Sequence, residues 1–235
     1  MFDICHVAAK KSKNPSKIEW KNLHLKVKTS DPDKKTFMAT FKRDFEHVIL
    51  KNISGYVLPG STTYIMGSSG CGKTTLLNAL SGRVRLMQGD ELSGTVKINE
   101  KDDLVKKNFG SIGAFVQQDD ILFEHMKVKE ALTFTARLKL TKLTVEEQDA
   151  KVNEVLNDLA LVNCQNSLIG SVYRKVISGG ERKRTAIGVE MLSDPTLLLL
   201  DEPTSGLDSF TALKIVTLMK KLAREKGLAI VATIH

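Results

Sequence analysis

Short apolar runs bounded by turn-forming residues alternate with amphipathic stretches along most of the chain. Such runs are typical of strands, and the segments predicted as strands are residues 18–28, 47–53, 62–66, 94–99, 112–116, 197–200 and 228–234. Apolar residues alternate only in places over residues 18–28, and we interpret this segment as an edge strand. The longest apolar run, residues 228–234, predicts a buried strand and is far shorter than the about 20 residues that span a bilayer.

Other segments show the apolar spacing of helices. We predict helices over residues 73–80 and 181–192, over much of residues 121–170, and over residues 211–225, where Gly227 ends the last helix. One apolar stripe in the long helical region consists of Val152, Val155, Leu156 and Leu159. The alternation of strands and helices predicts an α/β core with a largely parallel sheet, which a helical lobe over residues 121–192 interrupts.

The positive charge is concentrated at the start of the chain. The net charge is +8, and residues 1–51 hold twelve Lys or Arg and six Asp or Glu, a net charge of +6. We interpret residues 1–17 as a flexible basic lead-in, and the basic segment as a solvated face or, alternatively, as a segment close to an anionic membrane leaflet. No aromatic residues interleave with the basic ones as a stacking platform requires, so nucleic acid is not an expected partner.

The three cysteines do not form a recognisable framework. Cys5, Cys71 and Cys164 are far apart and lack the spacing of disulfide or metal sites, which predicts a reducing, cytosolic environment. Cys71 lies in a glycine-rich loop, where we interpret it as a small filling residue rather than as a redox switch.

That loop carries the first chemical motif. Residues 67–74 match the pattern G-x-x-x-x-G-K-[ST] between a predicted strand and a predicted helix, which is the context of a phosphate-binding loop. Its main-chain N–H groups would wrap phosphates, Lys73 would contact the β- and γ-phosphates, and Thr74 would hold Mg²⁺. The candidate ATP-binding residues here are Gly67, Ser68, Ser69, Gly70, Cys71, Gly72, Lys73, Thr74 and Thr75.

A buried strand that ends in two acids supplies the second motif. Asp201 and Glu202 follow the all-leucine run at residues 197–200. Beside a phosphate-binding loop, Asp201 would orient Mg²⁺, and Glu202 would polarise the attacking water. On their own, the two acids could equally be a helix N-cap or a solvated strand end.

A Ser-Gly-Gly-Glu turn lies between these two motifs. Ser178, Gly179, Gly180 and Glu181 precede a predicted helix, 105 residues after Lys73, so the turn could bind an anion at a helix N-terminus. The alternative is an ordinary serine N-cap with glycines in the turn.

The three motifs together resemble the nucleotide-binding domain of ATP-binding cassette (ABC) proteins, and the resemblance covers about residues 45–235. It implies a P-loop NTPase core with a mainly parallel sheet, an N-terminal antiparallel β subdomain and an inserted α-helical lobe. In that family the Ser-Gly-Gly turn caps the γ-phosphate of ATP held by a second domain. The resemblance therefore implies ATP and Mg²⁺ as ligands and a second nucleotide-binding domain as partner, arranged head-to-tail.

The resemblance assigns further candidate residues. Gln118 resembles the Q-loop glutamine, a catalytic and Mg²⁺-contacting residue for which Gln117 is the alternative, and His235 resembles the switch histidine. Phe45 is our candidate for the aromatic residue that stacks on adenine, with Phe41 as the alternative. The candidate dimer-interface residues, which resemble the D-loop, are Ser205, Gly206, Leu207 and Asp208. Outside the family, Asp208 or Ser209 would be a helix N-cap.

Within this family, the sequences of residues 118–120, 178–184, 201–209 and 233–235 resemble those of subfamily G, the White-like half-transporters. In that subfamily the ATPase domain precedes a membrane domain, so the resemblance implies that the chain is a fragment ending before that domain. We expect residues 18–235 to form the ATPase domain, divided into residues 18–120, 121–192 and 193–235, at the cytosolic face of a membrane. The expected activity is ATP hydrolysis that powers transport; a soluble ABC-type ATPase acting on ribosomes or nucleic acid and a nucleotide-gated interaction module are the alternatives.

Overall fold

A computed structural model of the protein describes residues 17–29, 45–99, 102–103, 109–170 and 176–234. The predicted lead-in, apart from residue 17, lies outside the described residues, as do Phe41 and His235. Eight strands are described: β1 Ile18–Thr29, β2 Phe45–Val57, β3 Thr62–Met66, β4 Glu91–Ile98, β5 Asp102–Asp103, β6 Gly113–Val116, β7 Leu197–Leu200 and β8 Ala229–Ile234. Five α-helices are described: α1 Lys73–Leu80, α2 Val128–Lys139, α3 Val145–Asp158, α4 Gly179–Met191 and α5 Ser209–Lys226.

The strands form two sheets of four. One is antiparallel with strand order β2-β1-β4-β5, and the other is parallel with strand order β3-β8-β7-β6. Helices α2 to α4 lie within the range of the predicted helical lobe. The predicted fold class, an α/β fold with an N-terminal antiparallel sheet and a parallel core sheet, is confirmed.

The parallel sheet is buried on both faces. On β7 and β8, Leu198 and Ile230 pack into a core with helices α2 to α5, while Leu199 and Val231 pack with α1 and the antiparallel sheet. A strand between two layers must be apolar on both faces, which is why residues 197–200 are all leucine.

Strand β1 is not an edge strand, and that prediction was wrong. It pairs with β2 on one side and with β4 on the other. Its incomplete alternation arises from a bulge near Asn22, which has φ 52° and lies where the register with β4 shifts. A Cβ at Gly94 on β4 would lie 2.6 Å from the Asn22 carbonyl oxygen, so a glycine is required inside the neighbouring strand.

The helix ends follow local signals. Thr144 caps α3 in a reciprocal hydrogen-bonding pair with Glu147, and Gly227 ends α5 with φ 67°. The predicted stripe of Val152, Val155 and Leu156, continued by Leu159, is wholly buried in the helical side of the core. Among the described residues, no helix is both long enough and apolar enough to cross a membrane.

Candidate functional site

The glycine-rich loop connects β3 to α1 and wraps around its own lysine. The Lys73 ammonium is buried and donates hydrogen bonds to the carbonyl oxygens of Gly67, at 2.7 Å, and Ser68, at 3.0 Å. Gly70 and Gly72 have φ 76° and 97°, a conformation that side chains disfavour. The loop therefore has the shape that its glycines predict.

The N-terminus of α1 is suited to a phosphate. Its N-cap, Gly72, has no side chain to cap the helix, and the first turn carries no acidic residue. The main-chain N–H groups and the positive end of the helix dipole thus remain for an anion. A Cβ at Gly72 would lie 3.2 Å from Ile49 Cγ2 on β2, so the antiparallel sheet closes one side of the loop.

The acidic pair follows β7 as predicted, and a threonine from β8 binds both of its members. Asp201 is buried, and the Thr233 hydroxyl donates a hydrogen bond to Asp201 Oδ1 at 2.8 Å. The same hydroxyl accepts a hydrogen bond from the Glu202 main-chain N–H at 2.7 Å. Thr233 therefore fixes the direction in which the acidic pair leaves the sheet.

The Glu202 carboxylate is the point at which three predicted site residues meet. Gln118 Nε2 donates a hydrogen bond to Glu202 Oε2 at 3.0 Å, and Lys73 Nζ lies 3.8 Å from Glu202 Oε1. This geometry favours Gln118 over Gln117, because it is the amide of Gln118 that reaches the acid. An amide donor, an ammonium group and a carboxylate thus converge at the mouth of the glycine-rich loop.

A cleft of ≈ 300 Å³ opens beside these groups. Its lining consists of Thr74, Asn78, Arg83, Phe115, Gln117, Gln118, Asp119 and Asp201. The three residues predicted to bind Mg²⁺ (Thr74, Gln118 and Asp201) therefore face one space. Hydroxyl, amide and carboxylate oxygens fit Mg²⁺, which takes one or two carboxylates and completes its shell with phosphate and water oxygens.

The Ser-Gly-Gly-Glu turn forms the N-terminus of α4 and is internally capped. The Ser178 N–H and hydroxyl both donate to Glu181 Oε2 at 2.8 Å, and the Glu181 N–H donates back to Ser178 Oγ at 3.2 Å. Burial alone would raise the pKa of Glu181, but the hydrogen bonds from Ser178 outweigh it and hold that pKa below its ordinary value. The serine N-cap is thus present, and the free main-chain N–H groups of the turn remain at an exposed helix end.

The two glycines of this turn pack against consecutive parts of the chain: Gly179 against the segment predicted to resemble the D-loop, and Gly180 against the first turn of α5. A Cβ at Gly179 would lie 3.1 Å from Leu207 Cδ2, and a Cβ at Gly180 would overlap the Thr211 methyl group. Asp208 is the N-cap of α5 and accepts hydrogen bonds from the N–H groups of Phe210 and Thr211. Ser205, Gly206 and Asp208 are exposed beside the turn.

The adenine-stacking residue stays a prediction. Phe45 is the first residue of β2, lies opposite Thr29 and is 48% exposed.

Comparison with known proteins agrees with this geometry. The family model for ABC transporters matches residues 50–205, which include the glycine-rich loop, the Ser-Gly-Gly-Glu turn and the acidic pair. The chain belongs to the ABC transporter family. The resemblance that its motifs predict is confirmed, and the chain is an ABC-type ATPase domain whose nucleotide is ATP.

The relatives of this ABC domain include G family members and White proteins. ABC transporter G family member 22 of Arabidopsis thaliana is 42% identical over 214 residues, which are 91% of this chain and 28% of that protein. Protein white of Drosophila melanogaster is 44% identical over 200 residues, 80% of this chain and 27% of that protein. An uncharacterized ABC transporter ATP-binding protein/permease of Saccharomyces cerevisiae is 40% identical over 225 residues, 92% of this chain and 17% of that protein. The ABC domain thus spans less than a third of the length of these relatives.

Two residues of the ABC domain that sequence reasoning missed lie in direct contact with the site. Thr233 joins Asp201 to Glu202, and its only signal is that it is polar within an otherwise apolar strand, Ala229–Ile234. Lys183 on α4 donates a hydrogen bond to the Gln118 carbonyl oxygen at 2.8 Å and is buried. In the sequence it is one of several basic residues after the Ser-Gly-Gly-Glu turn, and nothing there separates it from the others.

Proposed function

We propose that this ABC domain hydrolyses ATP with Mg²⁺ as part of a membrane transporter, and that each ATP is enclosed between two nucleotide-binding domains arranged head-to-tail. The observation that carries the proposal is the bracketing of the Glu202 carboxylate by Gln118 and Lys73 beside the glycine-rich loop. A carboxylate placed next to a phosphate-binding loop can accept a proton from the water that attacks the γ-phosphate.

The residues of the site divide the work as follows. The loop N–H groups and the Lys73 ammonium bind the phosphates, and Glu202 orients the water and accepts its proton. Thr74, Gln118 and Asp201 would hold Mg²⁺, which neutralises phosphate charge when it is bound. Thr233 keeps Asp201 and Glu202 in their relative orientation through its two hydrogen bonds.

A second nucleotide-binding domain is the proposed partner. The chain already has a complete phosphate cradle at residues 67–74, so the N-terminus of α4 is available for a phosphate held elsewhere. The exposed residues Ser205, Gly206 and Asp208 lie beside that turn and are proposed to face the partner. The arrangement fits a second copy of this chain and equally fits a related domain.

A membrane domain is the second proposed partner, and we propose with it that the ABC domain lies at the cytosolic face of a membrane. The relatives are more than three times as long as the chain, and one of them is named an ATP-binding protein/permease. Directly after Gln118, the apolar side chains of Ile121 and Phe123 are 78% and 61% exposed. Side chains of this kind on a surface are typical of protein contacts, and we propose that the membrane domain covers them.

The test is the variant Glu202→Gln, measured in the full-length protein. We expect ATP hydrolysis to fall by at least about 100-fold, because the amide cannot accept the proton, while ATP binding is kept. Glu225→Gln, the same change at an exposed position on α5, is the control and should keep the wild-type rate. The proposal is wrong if Glu202→Gln hydrolyses ATP as fast as the wild type.

A further inference from the structure

Lys183 is a buried cation to which the proposed hydrolysis assigns no role. It lies on α4, five residues after Ser178, and is 4% exposed. Its ammonium group is 2.6 Å from Asp120 Oδ1, 2.8 Å from the Gln118 carbonyl oxygen and 3.5 Å from the Gln117 carbonyl oxygen. All three acceptors belong to the segment that follows β6, defined here as residues 117–120.

An ammonium group has three N–H donors, and Lys183 directs its contacts to three oxygens of one short segment. Burying such a charge is costly unless it is paired, and a buried pair usually adds little net stability compared with apolar residues of similar size. The pair is therefore better explained by the geometry that it imposes than by the stability that it adds.

The segment at residues 117–120 carries Gln118 beyond the end of the sheet. The last ladder position of β6 is Val116, opposite Leu200. After it, α4 supplies hydrogen bonds from Lys183 and from Arg182, whose guanidinium donates to the Asp120 carbonyl oxygen at 3.3 Å and to the Gly170 carbonyl oxygen at 2.6 Å. The side-chain amide of Gln118, in turn, donates its hydrogen bond to Glu202.

We propose that Lys183 is a positioning residue, which holds the Gln118 main chain so that the Gln118 amide reaches Glu202. Because Lys183 belongs to the same helix as the Ser-Gly-Gly-Glu turn, it ties the position of Gln118 to the position of that turn. A shift of α4 on binding the partner's ATP would therefore move Gln118 in the chain's own site. This inference rests on the proposed function, since it assumes that Gln118 and Glu202 act in hydrolysis.

The test compares Lys183→Met with the double variant Lys183→Met/Asp120→Asn in the full-length protein. The double variant removes both charges of the pair, so it avoids the unpaired buried carboxylate that Lys183→Met alone would leave. In both variants we expect kcat to fall about tenfold, because misplacing a catalytic group by about 1 Å can cost up to 100-fold, while KM for ATP changes by less than about threefold. Lys139→Met is the control. Lys139 lies on α2 and also contacts α4, with its ammonium group 3.3 Å from Glu190 Oε2 and 3.5 Å from the Val189 carbonyl oxygen. These contacts are far along α4 from the Ser-Gly-Gly-Glu turn.

Two further measurements separate positioning from a merely structural role. Hydrogen exchange at the N–H groups of residues 117–120 should become faster in the double variant and not in Lys139→Met. The double variant Gln118→Ala/Lys183→Met should have a kcat within about twofold of that of Gln118→Ala alone, because the side chain through which Lys183 acts is already removed.

The results discriminate between this inference and the proposed function. Lys183 does not act through Gln118 if Lys183→Met/Asp120→Asn has the wild-type kcat and exchange rates. The same conclusion follows if Lys183→Met lowers kcat by the same factor in the Gln118→Ala background as in the wild type. If Glu202→Gln hydrolyses ATP at the wild-type rate, the proposed function itself fails. A hydrolysis-deficient Glu202→Gln together with an unaffected double variant would overturn this inference alone.

Discussion

At the scale of single residues, Glu202 has an unusual backbone. Its φ is 42°, in the left-handed region that costs a non-glycine residue of the order of 1 kcal/mol or more. The hydrogen bond from its N–H to Thr233 Oγ1 offsets part of this cost, and the same hydroxyl binds Asp201. The conformation of the proposed catalytic base therefore depends on one side chain from the neighbouring strand.

The variant Thr233→Val tests this dependence. It keeps the shape of the side chain but leaves the Glu202 N–H and Asp201 Oδ1 without the hydroxyl, so we expect a loss of about 1–3 kcal/mol in the free energy of unfolding and a lower kcat. Urea unfolding and ATPase assays measure the two effects.

Thr62→Val is the matched control, because Thr62 Oγ1 is buried on the adjacent strand β3 and has no hydrogen-bond partner among the residues that the structure describes. Losing that hydroxyl should leave the free energy of unfolding unchanged or raise it. Equal losses in the two variants would show that Thr233 has no special role.

At the scale of elements, the N-terminus of α4 is fitted closely against α5. Gly180 leaves no room for a Cβ next to the Thr211 methyl group, whereas Gly179 faces the flexible end of Leu207 at 3.1 Å. Packing inside one chain thus requires a glycine at position 180, in addition to any contact with phosphate.

A pair of substitutions checks this packing. Gly180→Ala should lower the free energy of unfolding by about 1–3 kcal/mol, because the added methyl group overlaps Thr211 Cγ2. Adding Thr211→Ser removes that methyl group and keeps the hydroxyl, so it should restore most of the loss in thermal denaturation. If Thr211→Ser gave no recovery, the overlap would not be the cause.

At the scale of the whole molecule, a cluster of ion pairs joins the helical lobe to the core. Lys226 at the end of α5 pairs with Glu154 and Asp158 on α3, and Lys151 pairs with Glu154 at 2.9 Å and with Asp194 at 2.5 Å. Burial alone would raise the pKa of Glu154, but hydrogen bonds from the two ammonium groups hold it below 4.5. Burial alone would lower the pKa of Lys226, but hydrogen bonds to the Asp158 and Glu154 carboxylates outweigh it and hold that pKa above 10.5.

The cluster predicts a dependence of stability on pH. Because the pKa of Glu154 is lowered in the folded state, its contribution is complete above pH 4.5 and is lost as the pH falls through the folded-state pKa. Glu154→Gln should therefore cost about 0.5–1 kcal/mol at pH 7, and the difference from the wild type should disappear in acid. Urea titrations at several pH values measure this difference in the free energy of unfolding. Glu225→Gln is the control and should change the free energy of unfolding little, because Glu225 Oε2 lies 3.9 Å from Lys221 Nζ on the exposed surface. A difference that stayed constant with pH would contradict the assignment.

Much of the fold was determined by the sequence itself, because its signals are local. The glycine-rich loop followed by α1, the buried leucine strand β7, the stripe on α3 and the end of α5 at Gly227 each depend on residues within one or two turns of each other. For the same reason, the order of the site motifs along the chain was enough to indicate the ABC family, which the comparisons confirm.

Only the tertiary structure decided which distant segments meet. The neighbours of β1, the hydrogen bond that joins Thr233 to Asp201 across 32 positions, and the hydrogen bond that joins Lys183 to Gln118 across 65 positions depend on sheet order and helix packing. The sequence around Thr233, in a buried strand, and around Lys183, in a basic run, does not indicate which residues they contact. Their roles follow from the burial and the hydrogen-bond partners that the fold gives them. For this reason the sequence predicted the motif residues of the site but not the residues that hold them in position.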